Sequence, residues 1–116
     1  MTSEESLVGR DLLFAINEPY EIAANIGEPP RRGRGVRVTR FGDGTPILWI
    51  LLEVPIDVEG TAVLEIGLQA RHVGMSLVDV LKGDWLMANA YAPLKDSGLH
   101  FFATLQLRDA EVGHRR

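Results

Sequence analysis

The sequence contains no cysteine. This absence excludes a disulfide framework, a zinc ribbon and a thiol nucleophile, and it fits a reducing compartment. The sequence also lacks an apolar run near the ~20 residues that a membrane-spanning helix needs, because the longest run extends only from Pro46 to Leu52. Acids stand near the N-terminus, where a secretory signal carries positive charge. We therefore expect a soluble, cytoplasmic protein with no membrane partner.

Signatures of catalysis and of metal binding are also lacking. Three histidines are widely separated along the chain: His72, His100 and His114. The glycine-containing stretches "GRGVRV" and "GDGTP" lack the Lys-Ser/Thr ending of a phosphate-binding loop. Asp79 and Asp84 are the nearest pair of acids for acid–base chemistry, but a helix surface and a turn explain them more simply. We expect no catalytic residues, no metal site, no cofactor and no enzymatic activity.

Two further acids, Glu53 and Glu65, fall within runs that read as strands. An acid on the face of a sheet needs a partner of opposite charge on a neighbouring strand. Arg37 and Arg71 are the candidates for that partner. We interpret these acids as members of cross-strand ion pairs rather than as a reaction centre.

The length of 116 residues, with 46% hydrophobic and 24% charged residues, suits one globular domain with one core. We therefore predict a single domain over residues 1–116. Breaks in the pattern divide it into an N-terminal segment (1–19), a flexible loop rich in Arg, Gly and Pro (27–35) and a β-barrel core (36–112).

Positive charge is concentrated in one short segment. The net charge is −4, yet residues 31–40 hold five arginines and no acid, which leaves −9 on the rest of the chain. Screening limits each charge to roughly 10 Å at 0.1 M salt, so a local basic patch can attract an anion on an acidic molecule. A solvated loop without a specific partner is the alternative interpretation.

Short runs rich in β-forming residues dominate the rest of the sequence. Alternating or continuous apolar runs predict strands near residues 36–41, 47–54, 62–70, 84–92 and 99–107, with another candidate at 20–26. Turns are predicted at 42–44, 58–60 and 95–98. A short helix is predicted over 76–83, with Ser76 as N-cap and Gly83 just past its end. Residues 3–16 read either as an N-terminal helix or, in "DLLFAI", as a strand.

These elements predict a mostly β fold. A small barrel of five to six antiparallel strands, closed or partly open, buries the apolar faces without long open edges. The stretch "LKGDWLMANAYAP" (81–93), followed by "GLHFFATLQLRDAEV" (98–112), resembles the last two strands of OB-fold nucleic-acid-binding domains, including the single-stranded-DNA-binding family. That resemblance implies an OB-like barrel with its short helix before the penultimate strand, and nucleic-acid binding.

Alternation also predicts which side chains face outward. If Leu86, Ala88 and Ala90 fill the interior, then Trp85 and Tyr91 lie on the outer surface. The alternate residues of the third run form a second inner row, Leu48, Ile50, Leu52 and Val54, which leaves Trp49 on the opposite face. Exposed rings can stack bases while arginines contact phosphates. The candidate nucleic-acid-binding residues are Arg31, Arg32, Arg34, Arg37, Arg40, Trp49, Trp85, Tyr91 and Phe102.

Three functional interpretations remain open at this stage. The first is a non-enzymatic module that binds single-stranded nucleic acid. The second is an assembly or accessory module that uses the barrel surface for self-association or for a protein partner, with the tryptophans in the core or at the interface. The third is a barrel that holds a ligand in an apolar cavity. The named residues favour the first, and a homo-oligomer is expected.

Overall fold

In the computed structural model, six antiparallel strands form a closed barrel. The structure describes residues 4–18, 31–40, 42–58, 60–71, 76–83, 85–93 and 100–110, with the backbone only at Glu18, Pro93 and 100–102. The strands are β1 (Asp11–Glu18), β2 (Arg31–Arg40), β3 (Pro46–Val58), β4 (Thr61–Ala70), β5 (Leu86–Pro93) and β6 (His100–Asp109). Two short 3-10 helices accompany them, η1 (Glu4–Leu7) and η2 (Leu77–Lys82).

Each strand pairs with its neighbours in the sequence, and β1 pairs with β6 to close the barrel. Closure leaves no row of unpaired backbone groups along a sheet edge. The prediction of a mostly β, closed antiparallel barrel is therefore confirmed. The OB-fold is a five-stranded Greek-key barrel, so the resemblance extends to the closed antiparallel sheet and to the short helix before β5, but not to the order of the strands.

The barrel interior is filled by one face of every strand. On β5 the inward residues are Leu86 and the small residues Ala88 and Ala90, all of them buried, and this confirms the predicted facing of that strand. Larger aliphatic and aromatic side chains complete the core, among them Phe14, Leu48, Ile50, Ile66, Leu68, Leu105 and Leu107. Small residues on one strand let the large residues of the others meet across a narrow interior.

The two 3-10 helices pack against each other, and each contributes buried side chains to the core. Ser76 caps η2, as predicted, by accepting a hydrogen bond from the backbone N–H of Val78, and Gly83 ends it with a φ of 97°. The Ser76 hydroxyl also donates to Glu4 Oε2 at 2.9 Å, which ties η2 to η1. Within the described ranges, neither helix approaches the length and apolar character needed to cross a bilayer.

The prediction of a flexible loop at 27–35 is wrong over 31–35, because Arg31–Arg40 is one continuous strand. Gly33 and Gly35 are buried in that strand. A Cβ at Gly33 would lie 3.0 Å from Ile50 Cδ1, and one at Gly35 would lie 2.2 Å from the carbonyl oxygen of Leu7. These glycines permit close approach of neighbouring chain segments rather than flexibility. Residues 27–30 lie outside the described ranges.

The predicted start of the barrel at residue 36 is also wrong. The strand reading of "DLLFAI" is the right one, since Asp11–Glu18 forms β1 and its Leu12, Phe14 and Ile16 are buried in the core. In the described part of the N-terminal segment, residues 4–18, the helical stretch is Glu4–Leu7. In such a short apolar run, the spacing of apolar residues fits a helix as well as a strand. Pairing with distant strands decides which of the two forms. The candidate strand at 20–26 falls outside the described residues.

One residue of the predicted inner row of β3 points outward. Leu48, Ile50 and Leu52 are buried as predicted, but Val54 is exposed. The register of β3 with β4 shifts between the pairs Leu51↔Glu65 and Ile56↔Val63, so that residues 52–55 face residue 64 alone. The extra residues of such a bulge are not paired with the neighbouring strand, and their side chains point in a different direction from those of a regular strand.

The predicted turn at 42–44 joins β2 to β3. Gly44 adopts a φ of 91°, and the backbone N–H of Thr45 donates to Asp43 Oδ1 at 2.9 Å. This hydrogen bond stabilises the carboxylate and lowers the pKa of Asp43 below its usual value. At the second predicted turn, between β3 and β4, Gly60 has a φ of 84°. The third, at 95–98, lies in a range that the structure leaves undescribed.

Candidate functional site

A row of five positions crosses the outer surface of the barrel from β2 to β6. The strand registers place these positions directly opposite one another in the order Arg37, Trp49, Gly67, Tyr91 and Phe102. Neighbouring strands lie roughly 4.8 Å apart, so the row brings together four residues that are distant in the sequence and were predicted as site residues. We call this set of positions the aromatic row.

The indole of Trp49 is held in place from three sides. Its Nε1–H donates to the Thr39 hydroxyl at 2.8 Å. The guanidinium of Arg37 lies over the ring, 5.0 Å from its centroid, and the Tyr91 ring meets it edge to face, with centroids 5.6 Å apart. An aromatic pair of this kind contributes about 0.5–1.5 kcal/mol and an exposed cation–π contact about 0.5–1 kcal/mol. Trp49 is therefore fixed in one orientation while remaining half-buried on the surface.

Gly67 provides the space that lets Trp49 reach toward Tyr91. It stands between them in the register, and a Cβ there would lie 2.9 Å from Ile47 Cγ2 and 3.2 Å from Trp49 Cη2. A glycine inside a strand often marks such a close approach. The sequence reading missed this residue, although its position inside the apolar run "AVLEIGLQA" is the signal that could have identified it.

A second exposed indole lies immediately before β5, at the opposite end of that strand from Tyr91. Trp85 is 40% exposed, and the guanidinium of Arg108 lies 5.7 Å from the centroid of its ring. Trp85 and Tyr91 are six positions apart, which corresponds to roughly 20 Å along a strand. We call Trp49, Tyr91 and Trp85 together the ring platform.

Polar side chains lie next to the aromatic row. Gln69, Asn89 and Thr104 are aligned across β4, β5 and β6, two residues before Tyr91 along β5. Asn89 is exposed and the other two are half-buried. Amide and hydroxyl groups both donate and accept hydrogen bonds. This face therefore combines rings that stack on a flat group with polar atoms that can bond to its edge.

The arginines of residues 31–40 do not form one patch of unopposed charge. Arg37 Nη1 lies 2.6 Å from Glu65 Oε1, which confirms the predicted cross-strand interpretation of Glu65. Further ion pairs of this segment join Arg32 to Asp11 and Glu53, Arg34 to Asp11, and Arg40 to Glu5. The exposed pairs of Arg32, Arg34 and Arg40 contribute about 0–1 kcal/mol each. The Arg37–Glu65 pair differs from them, because Glu65 Oε1 is buried.

The predicted site residues therefore separate into groups. Arg37, Trp49 and Tyr91 are in contact, and the backbone of Phe102 is in register with them. Trp85 lies at the far end of β5 with Arg108, which the sequence reading did not select. Arg32 and Arg34 lie toward β1, Arg40 lies beside η1, and Arg31 lines a shallow groove with Leu13 and Val54.

Metal binding has no candidate in the described part of the chain, where no group of three or more His, Cys, Asp or Glu residues converges. The side chain of His100 is not described, and His72 and His114 lie outside the described ranges. The ring platform is thus the most developed arrangement of functional groups on the described surface.

Fold and site together define a closed six-stranded antiparallel β-barrel with an aromatic and amide-bearing outer face. No protein-family model, curated protein or solved structure matches this chain.

Proposed function

We propose that this barrel is a non-enzymatic module that binds single-stranded nucleic acid on the outer face of β5. Bases stack on Trp49 and Tyr91 at one end and on Trp85 at the other. The observation that carries this proposal is the pairing of each indole with a guanidinium, Arg37 at Trp49 and Arg108 at Trp85. Single-strand-binding surfaces combine stacking rings with cations that follow the backbone in the same way.

The polar residues beside the rings support the same ligand. A base that stacks on Tyr91 brings its edge toward Asn89 and Gln69, whose amides can donate to and accept from it. A flexible single strand suits this arrangement better than a duplex, because its bases are free to turn toward the protein. The OB-like features of the fold, a closed barrel with a helix before β5, point to the same class of ligand.

The ion pairs set an expectation for how binding depends on salt. Each phosphate neutralised on a single strand contributes about −0.7 to the slope of log K against log salt concentration. If only Arg37 and Arg108 contact phosphates, the slope is about −1.4. If all five arginines of residues 31–40 take part, it is about −3.5. We expect the smaller value, because Arg37 and Arg108 lie over the rings, whereas Arg32, Arg34 and Arg40 lie away from them beside Asp11 and Glu5.

Titration of the protein with a deoxythymidine oligonucleotide at low salt tests the proposal. Both tryptophans of the chain belong to the ring platform, so stacking should quench the intrinsic fluorescence. Tyr91→Ala should weaken binding by about 1–3 kcal/mol, the usual contribution of one stacked base, whereas Tyr91→Phe keeps the ring and should bind nearly as well as the unchanged protein.

Charge variants provide the matched control. Arg37→Ala and Arg108→Ala should each reduce the magnitude of the salt slope by about 0.7. Arg34→Ala removes an arginine that pairs with Asp11 away from the rings, and it should leave both the affinity and the slope unchanged. An absence of quenching with micromolar oligonucleotide at low salt would contradict the proposed function.

A further inference from the structure

The outer surface at the β3–β4 bulge carries a concentration of exposed aliphatic side chains. Leu51, Val54 and Leu64 are 45%, 47% and 53% exposed, and they account for three of the five large hydrophobic residues exposed in the described structure. Leu51 stands opposite Glu65, the residue after Leu64, and Val54 lies in the bulge itself. We call these three residues the apolar patch. Exposed aliphatic residues scattered singly are normal, but a cluster of them marks a contact surface.

Charges of opposite sign flank the apolar patch on its two sides. In the register across the sheet, Leu51 has Arg34 on β2 at one side and Glu65 on β4 at the other. The β2 side continues with the exposed Arg32 and Arg37. The Glu53 carboxylate also lies on that side, where its Oε2 is 3.8 Å from Arg32 Nε. The surface is therefore basic on one side of β3 and acidic at Glu65 on the other.

We infer that the apolar patch docks against a second copy of this chain. An isologous interface places the same surface of two subunits face to face about a twofold axis. With that axis along β3 near Leu51, the patch of one copy meets the patch of the other. The basic β2 side of each copy then lies over the β4 side of its partner. Arg34 faces Glu65 of the partner subunit, and two salt bridges related by symmetry border an apolar centre.

The existing ion pairs do not oppose this arrangement. Arg34 pairs with Asp11 at 3.2 Å, and Glu65 pairs with Arg37 at 2.6 Å, all at exposed or half-exposed side chains. The exposed Arg34–Asp11 pair is weak in water, so its re-pairing across the interface loses little. Glu65 Oε1 is buried, and its pair with Arg37 is kept within each copy. The pattern also distinguishes a second copy from an unrelated partner, since a surface with opposite charges on its two sides is complementary to itself.

Self-association is tested separately from the proposed nucleic-acid binding, which centres on the rings around β5. Leu51 lies two residues from Trp49 on the same face of β3, so the interface borders one end of the ring platform. Tyr91 lies two strands away from the twofold axis and Trp85 lies at the far end of β5. The dimer is therefore measured without any oligonucleotide, and its failure would leave the binding proposal intact.

Sedimentation equilibrium over a range of protein concentrations at low salt tests the inference. The unchanged protein should sediment as a dimer at high concentration. Arg34→Glu and Glu65→Arg should each weaken the dimer at least about tenfold, because each sets like charges against one another across the interface. The double variant, Arg34→Glu with Glu65→Arg, restores opposite charges and should recover most of the lost affinity.

Two further variants show whether the apolar patch itself is the contact. Leu51→Lys places a charge at the centre of the interface and should yield a monomer, whereas Lys82→Glu reverses an exposed charge on η2 and should have no effect. Circular dichroism confirms that each variant is folded before it is compared. A protein that is monomeric at every concentration overturns the inference. A dimer that Leu51→Lys and both single reversals leave unchanged overturns it too.

Discussion

Replacing Gly35 with alanine should reduce the free energy of unfolding by about 3 kcal/mol, toward the upper end of the range for overpacked sites. The added Cβ would lie 2.2 Å from the carbonyl oxygen of Leu7. That atom belongs to the backbone and cannot turn aside as a flexible side chain can. The Gly35 N–H donates to the Arg10 carbonyl, and the Gly35 carbonyl accepts from the Gly9 N–H at 2.7 Å. The alanine should therefore separate the N-terminal segment from β2.

Urea unfolding measures this loss, and Gly42→Ala is its matched control. No atom lies within 4 Å of a Cβ built on Gly42, which is exposed in the turn between β2 and β3. That variant should change the free energy of unfolding by less than about 0.5 kcal/mol. If the two variants unfold at the same urea concentration, the close packing of Leu7 on Gly35 does not hold in solution.

Arg10→Ala should have an effect of similar size, about 3 kcal/mol. The Asp109 side chain is fully buried, and it accepts hydrogen bonds from Arg10 through Nε, at 3.1 Å, and through Nη2. Removing one member of a buried pair destabilises by about 3–5 kcal/mol, because the remaining charge stays buried. We expect the low end of that range, since the Arg10 side chain is 31% exposed.

The matched control for Arg10 is Arg34→Ala. Arg34 also pairs with an acid of the barrel, Asp11, but both side chains are accessible to water. Loss of that exposed pair should reduce the free energy of unfolding by less than about 1 kcal/mol. Thermal or urea unfolding of the two variants compares a buried partner with an exposed one. Equal destabilisation would show that burial of Asp109 does not set the strength of its ion pair.

The sequence was most informative where the alternation of apolar and polar residues alone decides which side chains face the core. On β5 the small residues Ala88 and Ala90 read as inward, and this assignment places Trp85 and Tyr91 outside, where the structure has them. The helix over 76–83 was also predictable, because the Ser76 cap and the terminal Gly83 are local signals. These features depend on residues within a few positions of one another.

Features that depend on a distant chain segment were not predictable in the same way. Gly33 and Gly35 read as loop residues, although they lie in a strand against Ile50 and Leu7. Val54 read as inward, because the bulge that turns it outward is defined only by the register with β4. A local pattern does not show which distant segment a residue contacts. A glycine in the sequence can mean either conformational freedom of the backbone or a close contact with another segment.

The charge of residues 31–40 illustrates the same limit for the candidate site. The sequence showed five arginines together, but the acids that face them come from other elements, such as Asp11 on β1 and Glu5 on η1. Among these arginines, Arg37 is the one in contact with the ring platform. Arg108, from the last strand, became a candidate only when its contact with Trp85 was seen.

In the proposed complex, bases stack on the outer rings of the barrel. An NMR titration of the ¹⁵N-labelled protein with a deoxythymidine oligonucleotide tests it most directly, because the indole N–H groups of Trp49 and Trp85 give separate signals. We expect both indole signals to shift together with the backbone amide signals of Asn89 and Tyr91, while the amide signals of Arg32 and Arg34 do not shift. Shifts that occur only along residues 31–34, with both indole signals unmoved, would contradict it.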